Sequence, residues 1–180
     1  MISLSGNGLP IVNLRPGELH VAREPTLITT LLGSCISVCL YNPKRKMGAI
    51  CHGVLPCFRN SPQRTSFHFV DSSIDYMIDM LGTQQKTASE ELAAKLFGGA
   101  NVLALGARAR KKGSTVGDQN IEAARSALRS HGVPIVVERV GGHQGRKLFF
   151  YSQTGEVLLR PLRQQPSGQG TCSWAAPSEF

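Results

Sequence analysis

Aromatic residues are scarce in this chain, 6% in all with a single tryptophan, and charged residues make up only 18% of it. No apolar run approaches the roughly 18 residues that a membrane-crossing helix needs. The first residues, Met1 to Pro10, carry no basic segment and are broken by glycine and proline, so they do not read as a signal peptide. The cytoplasm is the expected location, and insertion into a membrane is not expected. Cysteine is also too sparse for a disulfide framework. There are five, an odd number, and four of them crowd between Cys35 and Cys57; a secreted scaffold would be shorter and richer in them. Reduced thiols follow. No C-x2-C pair of the kind that dominates structural zinc sites occurs, and no internal repeat is visible.

What is present in excess is positive charge. The formal net charge of +8 points to an acidic partner. The one basic cluster, at Arg108, Arg110, Lys111 and Lys112, has no aromatic residues interleaved with it, unlike a platform for single-stranded nucleic acid. Nucleic acid is therefore not the expected partner.

At 180 residues the chain suits a single domain with one substantial core. Short apolar stretches at Leu27 to Leu32, Ile36 to Tyr41 and Met47 to Leu55 are separated by Gly-Ser and by Asn42-Pro43-Lys44-Arg45-Lys46. That punctuation predicts strands, with another around Leu19 to Arg23. The segment from Cys57 to Ser66 predicts a loop. Ile74, Met77, Ile78 and Leu81 then recur with helical spacing behind Asp71 and Ser72, stopped by Gly82. Thr87-Ala88-Ser89-Glu90 has a capping-box pattern and predicts a second helix to about Phe97. A strand is expected over Asn101 to Leu105. A third helix should run from near Asp118 to Gly132, burying Ile121, Ala124 and Leu128. Strands at Ile135 to Val140, Lys147 to Tyr151 and Glu156 to Leu162 complete the chain, the last two joined at Gln153-Thr154-Gly155. This order predicts an α/β fold with α+β character, a layered sandwich in a single domain over residues 1–163. From Gln164 onward the composition is rich in Gln, Ser, Gly and Pro without Lys or Arg, which predicts a flexible tail over 164–180.

Chemistry concentrates at Cys35. It follows a Gly33-Ser34 turn, and His52 lies one short structural element later. If Ile36 to Tyr41 is a strand, Ile36, Val38 and Leu40 share one face, and Cys35, Ser37, Cys39 and Tyr41 the other. A helix beginning at Cys35 is the alternative, and its N-terminus would lower the thiol pKa. A free thiol needs a base or a positive neighbour to react at neutral pH. Of the five histidines, His52 stands out because its strand is the natural antiparallel neighbour of the Cys35 strand. Cys39, Cys51 and Cys57 read as core or surface residues. By themselves, Cys35 and His52 fit a nucleophile pair and a packed thiol equally well.

The balance moves with six blocks in order: Thr29-x5-Cys35 within Leu-Gly-Ser-Cys-Ile-Ser-Val-Cys-Leu-Tyr; His52-x2-Leu55-Pro56; Lys95 to Ala100; Val116-Gly117-x2-Asn120; Gly141-Gly142-x2-Gly145-Arg146; and Thr154-Gly155-x-Val157. From about Glu18 to Leu162 the chain resembles the CheD family of chemoreceptor glutamine deamidases. The resemblance implies a layered fold related to toxin-type protein glutamine deamidases. It also implies an enzyme, a protein-glutamine amidohydrolase, that converts receptor glutamines to glutamate through a cysteine thioester. On this chain the resemblance assigns Cys35 as nucleophile, His52 as base and Thr29 as its partner. Thr30 is adjacent and also a hydroxyl. Backbone amides near Gly33 and Ser34 are the expected oxyanion donors, and neither a cofactor nor a metal is expected. The implied partners are the cytoplasmic domains of chemoreceptors and a CheC-type phosphatase. A second reading is a regulatory module that works mainly by docking to those partners.

Overall fold

The computed structural model describes residues 8–57, 67–102 and 114–162, together with the backbone of 3–4. The predicted loop at 58–66, the basic cluster at 108–112 and the tail from 164 lie outside the described residues. Among the described residues, ten strands form two five-stranded sheets. The first holds β1 (Ser3–Leu4), β2 (Pro10–Asn13), β4 (Leu27–Leu32), β9 (Arg146–Tyr151) and β10 (Glu156–Pro161) in that spatial order. The second holds β3 (Leu19–Val21), β6 (Met47–Gly53), β5 (Ile36–Asn42), β7 (Ala93–Gly98) and β8 (Ile135–Val140), also in spatial order. Helices α1 (Val70–Leu81) and α2 (Val116–Ser130) cover the outer face of the second sheet.

The layering follows from the period-two alternation of β5, which is apolar on one side and small or polar on the other. Ile36, Val38 and Leu40 turn towards the helices and meet Val70, Ile74, Met77 and Leu81 of α1, with Ala124 and Leu128 of α2. Cys39 turns the other way, into a seam between the sheets filled by Ile28, Leu32, Ile50, Phe97, Leu148 and Phe150. Both faces of β5 are therefore buried. Each fully buried Leu, Ile or Phe contributes about 1.5–3 kcal/mol through removal from water, so the strand that carries Cys35 to its start is firmly held.

The helices begin and end where local chemistry permits. The predicted spacing of Ile74, Met77, Ile78 and Leu81 is the buried stripe of α1, and the Gly82 amide closes the helix on the Ile78 carbonyl. At the start of α2, the Thr115 hydroxyl accepts from the Asp118 amide while the Asp118 carboxylate accepts from the Thr115 amide, a reciprocal cap. The Thr115 amide and the Thr115 hydroxyl, both donating to the carboxylate, hold the Asp118 carboxyl below its ordinary pKa.

The helix predicted from Thr87 to Phe97 does not form. Ser89–Glu91 makes a single 3-10 turn, and Ala93–Gly98 is strand β7. Its residues are good helix formers, but β5 has an open edge that β7 fills, antiparallel, while β8 pairs on its far side in parallel. Tertiary pairing overrides local preference here. The Thr87 hydroxyl accepts a bond from Asn42 and caps no helix. Of the strand expected at Asn101 to Leu105, Asn101 and Val102 belong to no strand and the remainder lies outside the described residues. Strand β2, begun by Pro10, carries too short a pattern to have been predicted.

Gly117 marks the tightest approach between α2 and the second sheet, since a methyl group there would stand 2.5 Å from the Gly99 carbonyl oxygen. Backbone cannot step aside as a flexible side chain could. Gly117→Ala should therefore lose about 1–3 kcal/mol through overpacking, read as a lower urea midpoint; an unchanged midpoint would contradict this packing.

Candidate active site

Cys35 lies at the end of the bend spanning 33–35, directly before β5. It starts a strand rather than a helix, so no helix of its own lowers its pKa. Its side chain is half-buried and packs against the seam between the sheets. His52 is on β6 opposite Ser37 of β5. Ile50 faces the seam, so His52, two residues on, shares that side. Cys35 is then the diagonal neighbour of His52 on one face, a separation of about 7–8 Å between α-carbons that side chains can bridge. The neighbouring Ser37 hydroxyl donates to the Cys51 carbonyl at 2.6 Å.

The imidazole is held from the opposite sheet. The Thr30 hydroxyl lies 2.7 Å from His52 Nδ1 and donates to the Leu14 carbonyl at 2.9 Å. One hydroxyl has one proton, and a carbonyl can only accept. Thr30 Oγ1 must therefore accept from His52 Nδ1–H, which leaves Nε2 as the basic nitrogen. The hydroxyl of Thr29, on the other face of β4, donates instead to Asn13 Oδ1 at 2.7 Å. The hydroxyl brought to His52 is thus that of Thr30. Thr29 and Thr30 both line a cavity of about 380 Å³, together with His52, Arg15, Leu31 and Lys147.

The bend around Cys35 is gripped through its carbonyls. Gly99 N–H donates to the Cys35 carbonyl at 2.8 Å and Ala100 N–H to the Gly33 carbonyl at 2.7 Å. The Asn120 side-chain amide donates to the Ser34 carbonyl at 3.2 Å. Gly98 permits this grip: its φ is +109°, and a methyl group there would collide with the Cys35 carbonyl oxygen. Neither the Gly98–Ala100 grip nor Asn120 received a role from sequence reasoning, although both sit in blocks that carried the family resemblance.

Burial pushes the Cys35 thiol above its ordinary pKa of 9.0, with its own backbone amide acting in the opposite direction. Burial also lowers His52 below its ordinary 6.5, against a smaller opposing pull from Glu18. The resting pair is therefore a neutral thiol and a neutral imidazole rather than an ion pair. Cys39 and Cys51 are buried in the core, the latter pushed up to about 11, whereas Cys57 is exposed. Among the described residues no three His, Cys, Asp or Glu side chains converge where a metal could be held, and no helix is long and apolar enough to cross a membrane.

Two outcomes follow from these shifts. Alkylation of Cys35 by iodoacetamide, followed at that peptide by mass spectrometry, should still be accelerating at pH 9.0; a plateau below pH 8 would mean a preformed thiolate. The depressed His52 pKa means that the unfolded chain binds a proton more readily than the folded one. Its contribution to stability is complete above pH 6.5 and fades as pH falls below that value. Urea midpoints should accordingly drop more between pH 7.5 and 5.5 for the wild type than for His52→Gln, and equal drops would exclude this linkage.

Comparison with known proteins places the chain in a family. A family model described as CheD chemotactic sensory transduction matches residues 54–161. The probable chemoreceptor glutamine deamidase CheD 2 of Geobacter sulfurreducens is 45% identical over 156 residues, which cover 87% of this chain and 92% of that protein. Relatives named probable chemoreceptor glutamine deamidase CheD from Nitratidesulfovibrio vulgaris and Rhodospirillum rubrum are 38% and 35% identical, covering 85% and 87% of this chain and 78% and 85% of their own lengths. The crystal structure of the hypothetical protein YfiH of Bacillus licheniformis aligns with a TM-score of 0.45 at 15% identity, over 67% of this chain and 49% of that one, and carries no argument. By its match to the family model and to these relatives, the chain belongs to the CheD family.

Proposed function

We propose that this protein deamidates glutamine side chains in the cytoplasmic regions of chemoreceptors, as the names of its relatives state for them. The observation that carries the chemical reading is the His52 ring, fixed by Thr30 with Nε2 basic and set diagonally across β5 and β6 from Cys35. His52 Nε2 takes the thiol proton as Cys35 Sγ attacks the carboxamide carbon and the C–S bond forms. The oxygen of the tetrahedral intermediate takes up negative charge, for which the backbone N–H groups of the bend, at Ser34 and Cys35 beside Gly33, are the donors. The imidazolium returns its proton to the nitrogen, the C–N bond breaks, and ammonia leaves a thioester. His52 then deprotonates water, whose oxygen displaces sulfur; the products are a glutamate side chain and the restored thiol.

Starting neutral suits this sequence. Because burial disfavours charge on both groups, proton transfer is coupled to attack and no thiolate stands exposed between turnovers. The Thr30 hydroxyl, anchored on Leu14, supports the imidazolium when it forms and holds the ring in place, which is the third-member role of a triad. The resemblance assigns that role to Thr29, which lines the same cavity, and the two assignments are separable by mutation. Arg15 and Lys147 on that cavity, with the net charge of +8, favour an acidic protein segment over a free amino acid as substrate. A CheC-type phosphatase would dock on the same face. Reduced thiols and this substrate make the cytoplasm the working compartment.

Receptor peptides scored by mass spectrometry for the one-mass-unit gain of Gln to Glu test the proposal. Cys35→Ala and His52→Ala should be folded and inert, and retained deamidation by Cys35→Ala would end it. Thr30→Val should lower kcat by about 10–100-fold, the worth of a hydrogen bond to a charged group. Thr29→Val should stay within about threefold of wild type by the same reasoning; the reverse order would return the role to Thr29.

A further inference from the structure

Asn120 lies on α2, well away from Cys35 and His52 in sequence, and is completely buried. Its side-chain amide reaches two backbone carbonyls of different elements. Nδ2 donates to Ser34 at 3.2 Å, immediately before the nucleophile, and to Val54 at 3.0 Å, two residues beyond His52. Both protons of the NH2 group are thereby used. The Oδ1 atom is buried and has no hydrogen-bond partner among the described residues. Turning the amide over would set its oxygen against two carbonyl oxygens, so this orientation is the only one the surroundings accept. A buried acceptor left unpaired costs stability, and a residue selected for packing alone would avoid that cost.

The rest of the local architecture serves the same placement. Gly117 lies against the Gly99 carbonyl, and a side chain at Gly99 would collide with Ile121, so α2 sits directly on the segment whose amides hold Cys35 and Gly33. The reciprocal cap of Thr115 and Asp118 fixes the first turn of α2, one turn ahead of Asn120. Backbone amides grip the bend from the β7 side, and among the described residues the Asn120 side chain joins it directly to Val54, where the chain leaves β6.

We infer that Asn120 is a positioning residue for deamidation: by bridging the Ser34 and Val54 carbonyls it sets the distance between the Cys35 thiol and the His52 base. The inference rests on the Cys35–His52 reading given above and adds a third element to it. Misplacement of reacting groups by about 1 Å costs on the order of a hundredfold in rate. Asn120→Ala and the isosteric Asn120→Asp should therefore lower kcat by about that factor with KM within about twofold.

A second readout needs no substrate. The rate of Cys35 alkylation is measured in wild type, His52→Ala, Asn120→Asp and the double variant. In the wild-type background, removal of His52 should slow alkylation severalfold; in the Asn120→Asp background it should make no difference, because base and thiol are no longer held together. Asn120→Ala replaces Asn120→Asp in this cycle if the aspartate variant does not fold. An undiminished His52 effect without Asn120, or a kcat within twofold of wild type in a folded variant, would overturn the inference. Failure of both Asn120 variants to fold would overturn it too, by assigning the residue to the fold alone. If wild type deamidates no receptor peptide yet the alkylation cycle shows the loss of coupling, the substrate reading falls and the positioning role stands. If His52→Ala leaves wild-type alkylation unchanged, both fall together.

Discussion

The hydrogen bond between Thr30 and His52 crosses the seam between the two sheets, the buried member of a set of polar ties that also joins Tyr41 to Gln153, Lys95 to Gly155 and Arg146 to Gly141. Apolar packing of Ile28, Leu32, Ile50, Leu148 and Phe150 presses the sheets together, but such contacts are non-directional and tolerate sliding. A hydroxyl that must both donate to Leu14 and accept from His52 Nδ1 does not tolerate it. This contact fixes the tautomer of the imidazole and hence the nitrogen that faces the chemistry. Cys35 comes from the bend before β5, His52 from β6 and Thr30 from β4, so the proposed site exists only where the two sheets are correctly apposed.

Burial has opposite consequences for the two groups and a single consequence for the pair. It raises the acid and lowers the base, so neither is charged at rest. An exposed low-pKa thiolate would be open to oxidation and to any electrophile. A neutral thiol beside an oriented imidazole becomes a strong nucleophile only when proton transfer can accompany attack. The positive charge of the protein lies elsewhere, at Arg15 and Lys147 beside the cavity among other places, where it can act on an approaching acidic segment without charging the pair.

Around this pair the backbone does work that side chains often do. Gly98 and Gly99, both at positive φ, turn two successive amides onto the carbonyls of the Cys35 bend. The glycines of this block and Gly117 of α2 are small because the elements behind the nucleophile approach within backbone contact of one another. Asn120 completes that support from the helical layer. The three layers thus meet at Cys35: the seam on one side, the central sheet beneath it and α2 behind.

Much of this was legible in the residues. Short apolar runs set off by turn residues marked most strands of the two sheets, and helical spacing marked α1 and α2, each of which buries one face. The short β2 left no such pattern, and β7 was misread because Ala93, Ala94, Lys95 and Leu96 favour a helix until an open sheet edge competes for them. Cys35 and His52 stood out by type and separation. The choice between Thr29 and Thr30 did not, since Leu27, Thr29 and Leu31 make as apolar a row as Ile28, Thr30 and Leu32, and alternation alone cannot say which row faces inward. By itself the sequence determined most of the local elements, the family and the candidate residues of the proposed site, all of which depend on near neighbours or on motif. Only the tertiary structure decided that Thr30 meets His52, that burial raises the Cys35 pKa and lowers that of His52, and that Asn120 reaches Ser34 and Val54. Hydrogen bonds between distant segments and the loss of water around a group are properties of packing, and no local pattern encodes them.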